Sequence, residues 1–220
     1  MTKQKFFIGE AVSFGWNTTK NNLGFFIGFL IVWGLLYIVP YIIAMRMMEV
    51  NTFLGIVFWV ANFVLPIVIW LGFVKIALRF CDGEKGRFSD LFSQYRLFFK
   101  YLFASILFGL IVIGGMLLFI VPGIIWGIKF WFFDYFIVDK GLGPIEALKR
   151  SSAITKGMKW DLLGFGFTLG VINLLGALFL LVGLFVTIPT TMIALVFVYR
   201  KLLAQTEITS VSQTSPEVTV

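Results

Sequence analysis

Long apolar runs alternate with short polar connectors along this chain, and the alternation predicts six membrane-spanning helices. Leu23 to Met45 carries no charged residue. At about 1.5 Å per residue it reaches roughly 34 Å, enough for a hydrocarbon core of about 30 Å. Further apolar runs at 53–78, 101–121, 122–138, 162–182 and 184–203 complete the set. Pro66 interrupts the long second run, where a kink or tilt absorbs the excess length. Residues 116–139, MLLFIVPGIIWGIKFWFFDYFIVD, break at Pro122-Gly123 and read as a hairpin, with Pro122 at the first position of the fourth helix, where its missing N–H costs nothing. Arg46 to Asn51 reads as a short polar turn.

The connectors carry a helical period of their own. In the N-terminal segment 1–22, Phe7, Ala11 and Phe14 share a face. In 88–99, Phe88, Leu91, Phe92, Tyr95 and Phe98 do so, and in 144–156, Ile145, Leu148, Ser152 and Thr155. Each pattern predicts an amphipathic helix at the membrane interface. Residues 1–22 lack the apolar core and small-residue cleavage site of a secretory signal and are expected to be retained. Residues 204–220 are polar, β-branched and aperiodic, which predicts a disordered tail.

The chain also echoes itself. LLYIVPYII at 35–43 matches LLFIVPGII at 117–125 in seven of nine positions. An acid stands ten residues before a lysine ahead of each odd-numbered span, as Glu10 and Lys20, Asp90 and Lys100, and Glu146 and Lys156. The reading is three units, each an interfacial helix followed by a membrane hairpin, and the fold class is an all-α integral membrane protein of six spans.

Composition agrees with that pattern. Of 220 residues, 60% are hydrophobic and 13% charged, against roughly 25% charged in soluble domains. The net charge of +7 could serve nucleic acid, but its distribution argues for anionic headgroups. Basic residues cluster in the N-terminal segment, the two long interludes and the end of the sixth span, with Arg46 in an opposite turn and Lys129 within a span. Positive charge resists translocation, so both termini are placed in the cytoplasm. A single cysteine, Cys81, excludes an internal disulfide, and the absence of histidine removes the commonest general base and zinc ligand.

Lys129 is the most informative residue, because a lysine near the bilayer centre costs on the order of 2.5 to 3.5 kcal/mol on insertion scales. Asn62 and Asn173 are candidate partners across the bundle, with Asp134 the other charge of the same run. Two roles are open to Lys129: an anion, headgroup or ion-pathway contact, or a structural polar contact with snorkelling. For Asp134 the alternatives are function and simple reach to the headgroups. Arg96, Lys100, Lys149, Arg150, Lys156 and Lys159 are candidate anionic-lipid contacts, or serve only to set topology.

No phosphate-cradling loop, nucleophile elbow, paired cysteines or metal-spaced cluster is found. A non-enzymatic protein without cofactor or metal is therefore expected, binding or organising membrane lipid or a membrane partner, with homo-oligomerisation open. The alternative is a small transporter built on proline-broken helices and a polar site around Lys129.

The motifs GEA near the start, DGEKGRFSDLF before the third span, LLFIVPGII at the central break and PIEALKRSSAITKG before the fifth resemble a group of bacterial integral membrane proteins. That group includes the membrane domain attached to some glycerophosphoryl diester phosphodiesterases. The resemblance covers most of residues 5 to 203. It implies a six-helix architecture in the bacterial cytoplasmic membrane and carries no activity with it.

Overall fold

A computed structural model describes residues 6–179 and 182–214, with side chains as far as Glu207. Every regular element among them is helical. In chain order they are α1 (Ile8–Asn21), α2 (Leu23–Val50), α3 (Thr52–Cys81), α4 (Asp90–Ser93), a 3-10 turn at Tyr95–Leu97, α5 (Phe98–Leu118), α6 (Ile120–Lys129), α7 (Phe133–Lys140), α8 (Pro144–Ile154), α9 (Lys159–Leu178) and α10 (Leu184–Thr214). Among the described residues, six helical stretches are long and apolar enough to cross a membrane: Leu23–Val50, Thr52–Cys81, Asp90–Leu118, Ile120–Lys140, Lys159–Leu178 and Leu184–Glu207. The chain is an all-helical protein of membrane composition.

Several boundaries differ from the sequence pattern. Helix α2 runs through Arg46 and Glu49, and the turn is made by Asn51 alone, extended at φ −150° and ψ 104°, whose Oδ1 accepts from Leu54 N. The central break falls at Phe119, φ −162° and ψ 150°, so Pro122 is the third residue of α6. The echo LLYIVPYII contains no such break, because Pro40 lies inside continuous α2. Gly123 explains the difference: a Cβ there would strike the Met116 backbone and side chain, so α5 and α6 close on each other only because it is glycine. Tyr41 holds the corresponding place in the first copy, and α2 continues past it.

The fourth apolar run is two helices. α6 ends at Lys129, and α7 begins at Phe133 after a turn. The helix expected over 88–99 is broken into α4 and the 3-10 turn before α5 begins. The disordered tail is corrected in part: α10 continues past Leu203 to Thr214, through Ala204, Gln205 and Glu207, all good helix formers. Residues 1–5, 180–181 and 215–220, at the ends of the expected N-terminal segment, fifth span and tail, lie outside the described residues.

Packing places the core around three helix segments. Leu71 to Leu78 of α3, Phe132 to Val138 at α7, and Met192 to Tyr199 of α10 supply most of the fully buried side chains. α2 packs along α3, α5 along α6, and α9 along α10. The connector helices cover the core segments: α4 on α3, α8 on α7 and α1 on α10. By contrast, α2 beyond Ile31, the turn at 117–121 and the end of α9 expose their large apolar side chains, as a lipid-facing surface does.

Close approach selects the faces used. α1 turns Ala11, Gly15 and Thr19 inward rather than Phe7, which is 73% exposed. A Cβ at Gly15 would meet the Thr190 carbonyl, so only glycine lets α1 seat this deeply on α10. Phe14 then stacks on Phe197 at 4.8 Å. On α8 the buried set is Ala147, Leu148, Ser151 and Ile154, while Ile145 points outward. Gly72 does for α4 what Gly15 does for α1, since its Cβ would strike the Leu91 backbone.

Candidate functional site

Lys129 ends α6, and the polar contacts at this break are made by its backbone. Its carbonyl oxygen accepts from Thr155 Oγ1 at 2.9 Å and from Ser151 Oγ at 3.2 Å, while Ser151 Oγ accepts from Phe132 N at 3.0 Å. Two hydroxyls of α8 thus satisfy the carbonyl and amide released where α6 stops and α7 starts, groups that would be costly to bury unpaired. The Lys129 ammonium lies 5.2 Å from the Phe130 ring centre, within cation–π range. It borders an open groove of about 440 Å³ between α5 and α6, lined by Leu110, Ile111, Leu118, Trp126 and Phe130. Among the described residues no carboxylate pairs with it.

The other predicted polar residues do not join it. Asn62 Nδ2 donates to the Tyr37 carbonyl at 3.4 Å and borders a separate pocket between α2 and α3. Asn173 Nδ2 bonds Thr191 Oγ1 at 3.2 Å, tying α9 to α10. Asp134 is buried in the first turn of α7 rather than reaching a headgroup region. Its Oδ1 accepts from Tyr135 N at 2.9 Å.

The candidate basic residues are spread over one family of connectors. Lys149 and Arg150 are exposed on α8, and Lys156 is exposed just after it. Arg96 Nε donates to Tyr95 Oη at 3.0 Å, and Lys100 Nζ to the Gly141 carbonyl at 2.7 Å. Lys159 borders an apolar groove of about 320 Å³ between α6 and α9, lined by Val121, Ile124, Ile125, Ile128, Trp160 and Leu163.

Sequence reasoning missed the main ionic cluster. Arg200 holds Asp82 through two contacts, at 2.6 and 3.0 Å, and Asp139 through a third at 2.8 Å, while Tyr199 Oη donates to Asp139 at 3.1 Å. The C-terminal ends of α3 and α7 are joined there to the middle of α10. Arg79 similarly holds Glu84 and Asp90, and Lys201 holds Glu10. A usable signal existed: Asp139 ends one apolar run, Asp82 closely follows another, and Arg200 is the first charge in the last. Lys75, also passed over, is half-buried within α3. No three of His, Cys, Asp and Glu among the described residues converge to hold a metal ion.

A further cavity of about 340 Å³ lies between α2, α3, α5 and α10, with Phe29, Trp33, Trp70, Phe73 and Tyr101 in its wall. Tyr101 also stacks on Phe133 at 5.9 Å, next to Asp134.

Comparisons with known proteins give kinship without an activity. Uncharacterised proteins of Mycobacterium bovis and Mycobacterium tuberculosis are 28% identical to the chain over 151 residues, which is 68% of this chain and 45% of theirs. The chain thus spans about half the length of the curated relatives it matches. No solved structure matches. The family described as a domain of unknown function (DUF7847) matches residues 91–215, a stretch that contains Lys129, Asp134 and the α8 hydroxyls, and with more than half of its residues inside that match the chain belongs to this family.

Proposed function

We propose that this protein is a non-enzymatic component of the bacterial cytoplasmic membrane that binds or organises anionic lipid. The observation that carries this is the groove between α6 and α9: an apolar slot of about 320 Å³ bordered by Lys159 and Trp160. A slot that is apolar throughout except for one cation matches an amphiphile with an acyl chain and a negative headgroup. Trp160 is 79% exposed, as a residue of the interfacial belt is. Lys129 repeats the combination in the neighbouring groove between α5 and α6.

Three hairpin units form this scaffold, α2 with α3, α5 with α6 and α7, and α9 with α10, each preceded by a short cytoplasmic helix. Supporting the repeat, each short helix packs on the second span of another unit in cyclic order: α4 on α3, α8 on α7, α1 on α10. The residues buried by α1 and α8 also correspond, Ala11, Gly15 and Thr19 with Ala147, Ser151 and Thr155. Both termini and all three short helices lie on the cytoplasmic side, where Lys149, Arg150 and Lys156 add about 1 kcal/mol of attraction each to anionic lipid near the surface. The transport alternative drew on a polar site shared by Lys129, Asn62 and Asn173. Those residues occupy three separate places, which favours the lipid reading.

Native mass spectrometry of protein released from detergent tests this. Wild type is expected to retain phosphatidylglycerol in preference to phosphatidylcholine, and Lys159→Leu and Lys129→Leu each to reduce that retention. Equal retention of the two lipids by wild type sinks the proposal.

A further inference from the structure

We infer that the two grooves flanking α6 take the two halves of one lipid, a four-chain diphosphatidyl lipid of the cardiolipin type, with Lys129 meeting one of its phosphates and Lys159 the other. This rests on the lipid reading of the grooves and adds to it the headgroup: two phosphodiesters joined through one glycerol, rather than separate lipids of one phosphate each.

α6 stands between the grooves. Val121, Ile124, Ile125 and Ile128 line the groove on the α9 side, and Trp126 and Lys129 line the one on the α5 side. At about 100° per residue the two sets lie roughly 120° apart, on two flanks of a cylinder about 10 Å across. Each groove is apolar but for one lysine, and neither has a carboxylate in its wall.

The two cations meet at one end of α6. Ile128 shares a groove with Lys159, and its neighbour Lys129 borders the other. The α8 clamp brings them together: the Lys129 carbonyl accepts from Thr155 Oγ1 at 2.9 Å, the Thr155 carbonyl accepts from Met158 N at 3.1 Å, and Lys159 follows as the first residue of α9. Only Thr155 and Met158 therefore stand between the two lysine backbones.

Neither ammonium has a carboxylate partner among the described residues. Asp161, in the same turn as Lys159, lines neither groove. Two unpaired cations at one helix end repel each other, and a dianion that spans them relieves the repulsion at both. Basic pockets between membrane helices on the cytoplasmic side suit such headgroups. Once one phosphate is held, the glycerol bridge keeps the second at high effective concentration beside the other lysine. One bridged lipid thus outcompetes two separate ones.

Native mass spectrometry of the full chain, loaded in detergent with tetraoleoyl cardiolipin or dioleoyl phosphatidylglycerol, counts the lipids and tests the bridge. Wild type is expected to hold one cardiolipin or two phosphatidylglycerols, with cardiolipin at least tenfold tighter at equal phosphate concentration. Lys129→Leu and Lys159→Leu should each abolish that advantage and leave one phosphatidylglycerol bound. Lys20→Leu, which removes an exposed cation of α1, should change neither lipid. With phosphatidylglycerol still preferred to phosphatidylcholine, three results overturn the bridge and leave the lipid reading standing: two cardiolipins per chain, no advantage for cardiolipin, or an advantage that survives either lysine variant. A wild type that prefers neither anionic lipid to phosphatidylcholine overturns both. Should Lys129→Leu fail to fold, Lys159→Leu, at an exposed position, decides alone.

Discussion

Thr155 Oγ1 lies 2.9 Å from the Lys129 carbonyl oxygen, across 26 residues of chain, and so closes from α8 the break that separates α6 from α7. Ser151 Oγ completes the closure by bonding both the same carbonyl and Phe132 N. Thr155→Val leaves the carbonyl with one partner and should cost about 1 kcal/mol. The double variant with Ser151→Ala orphans a buried amide and carbonyl together, at about 1 to 3 kcal/mol for each group. Thermal unfolding in detergent should show the double variant losing more than the two singles summed.

Arg200 is the next point of failure. One guanidinium serves both Asp82 and Asp139, and Asp139 is largely covered, its side chain 12% exposed. Arg200→Lys keeps the charge but not the planar fork that reaches two carboxylates. It should lose about 2 kcal/mol, in line with hydrogen bonds to charged groups. The pair of Lys201 and Glu10 is more open, with side chains 35% and 47% exposed, so Lys201→Ala should cost at most about 1 kcal/mol. Comparable losses in the two variants, measured by thermal unfolding, would show that the Arg200 cluster is not a stronger tie than an ordinary surface pair.

Glycines separate by what stands over them. A Cβ at Gly72 would run into the Leu91 backbone, which cannot rotate away, whereas one at Gly109 meets nothing within 4 Å. Gly72→Ala should therefore destabilise by about 1 to 3 kcal/mol through overpacking. Gly109→Ala, inside α5, should be neutral or stabilising by about 0.5 to 1 kcal/mol through backbone entropy. Denaturation midpoints that move in the same direction would contradict this account of the α3 and α4 contact.

Lys129→Leu removes a cation that faces an apolar groove and has no carboxylate partner among the described residues. Its backbone contacts with α8 do not depend on the side chain, so the variant should fold and unfold at the same temperature or higher. A fall in the midpoint of several degrees would mean that the ammonium holds the fold together.

The correspondences and failures at particular residues share one cause. Glu10 and Asp90 stood out in the sequence as repeated acids, and both make ion pairs, with Lys201 and Arg79. Their partners were invisible because they lie on other helices. Phe7 looked like a packing residue and Gly15 did not, yet Gly15 is buried and Phe7 exposed. Helical spacing selects a face by hydrophobicity, while helix contacts in an apolar solvent select it by how closely backbones can approach.

By itself the sequence determined the helical class, the six apolar stretches, and the concentration of charge in the connectors, since each is a local matter of length, composition and period. Only the tertiary structure decided that the fourth stretch splits at Lys129 to Phe133, that Asp134 is buried, and that Asp82, Asp139 and Arg200 meet. Contacts between helices depend on the relative rotation and depth of segments far apart in the chain. In a chain that is apolar nearly all round its helices, hydrophobic pattern leaves that rotation free, and small residues and a few long-range polar bonds set it.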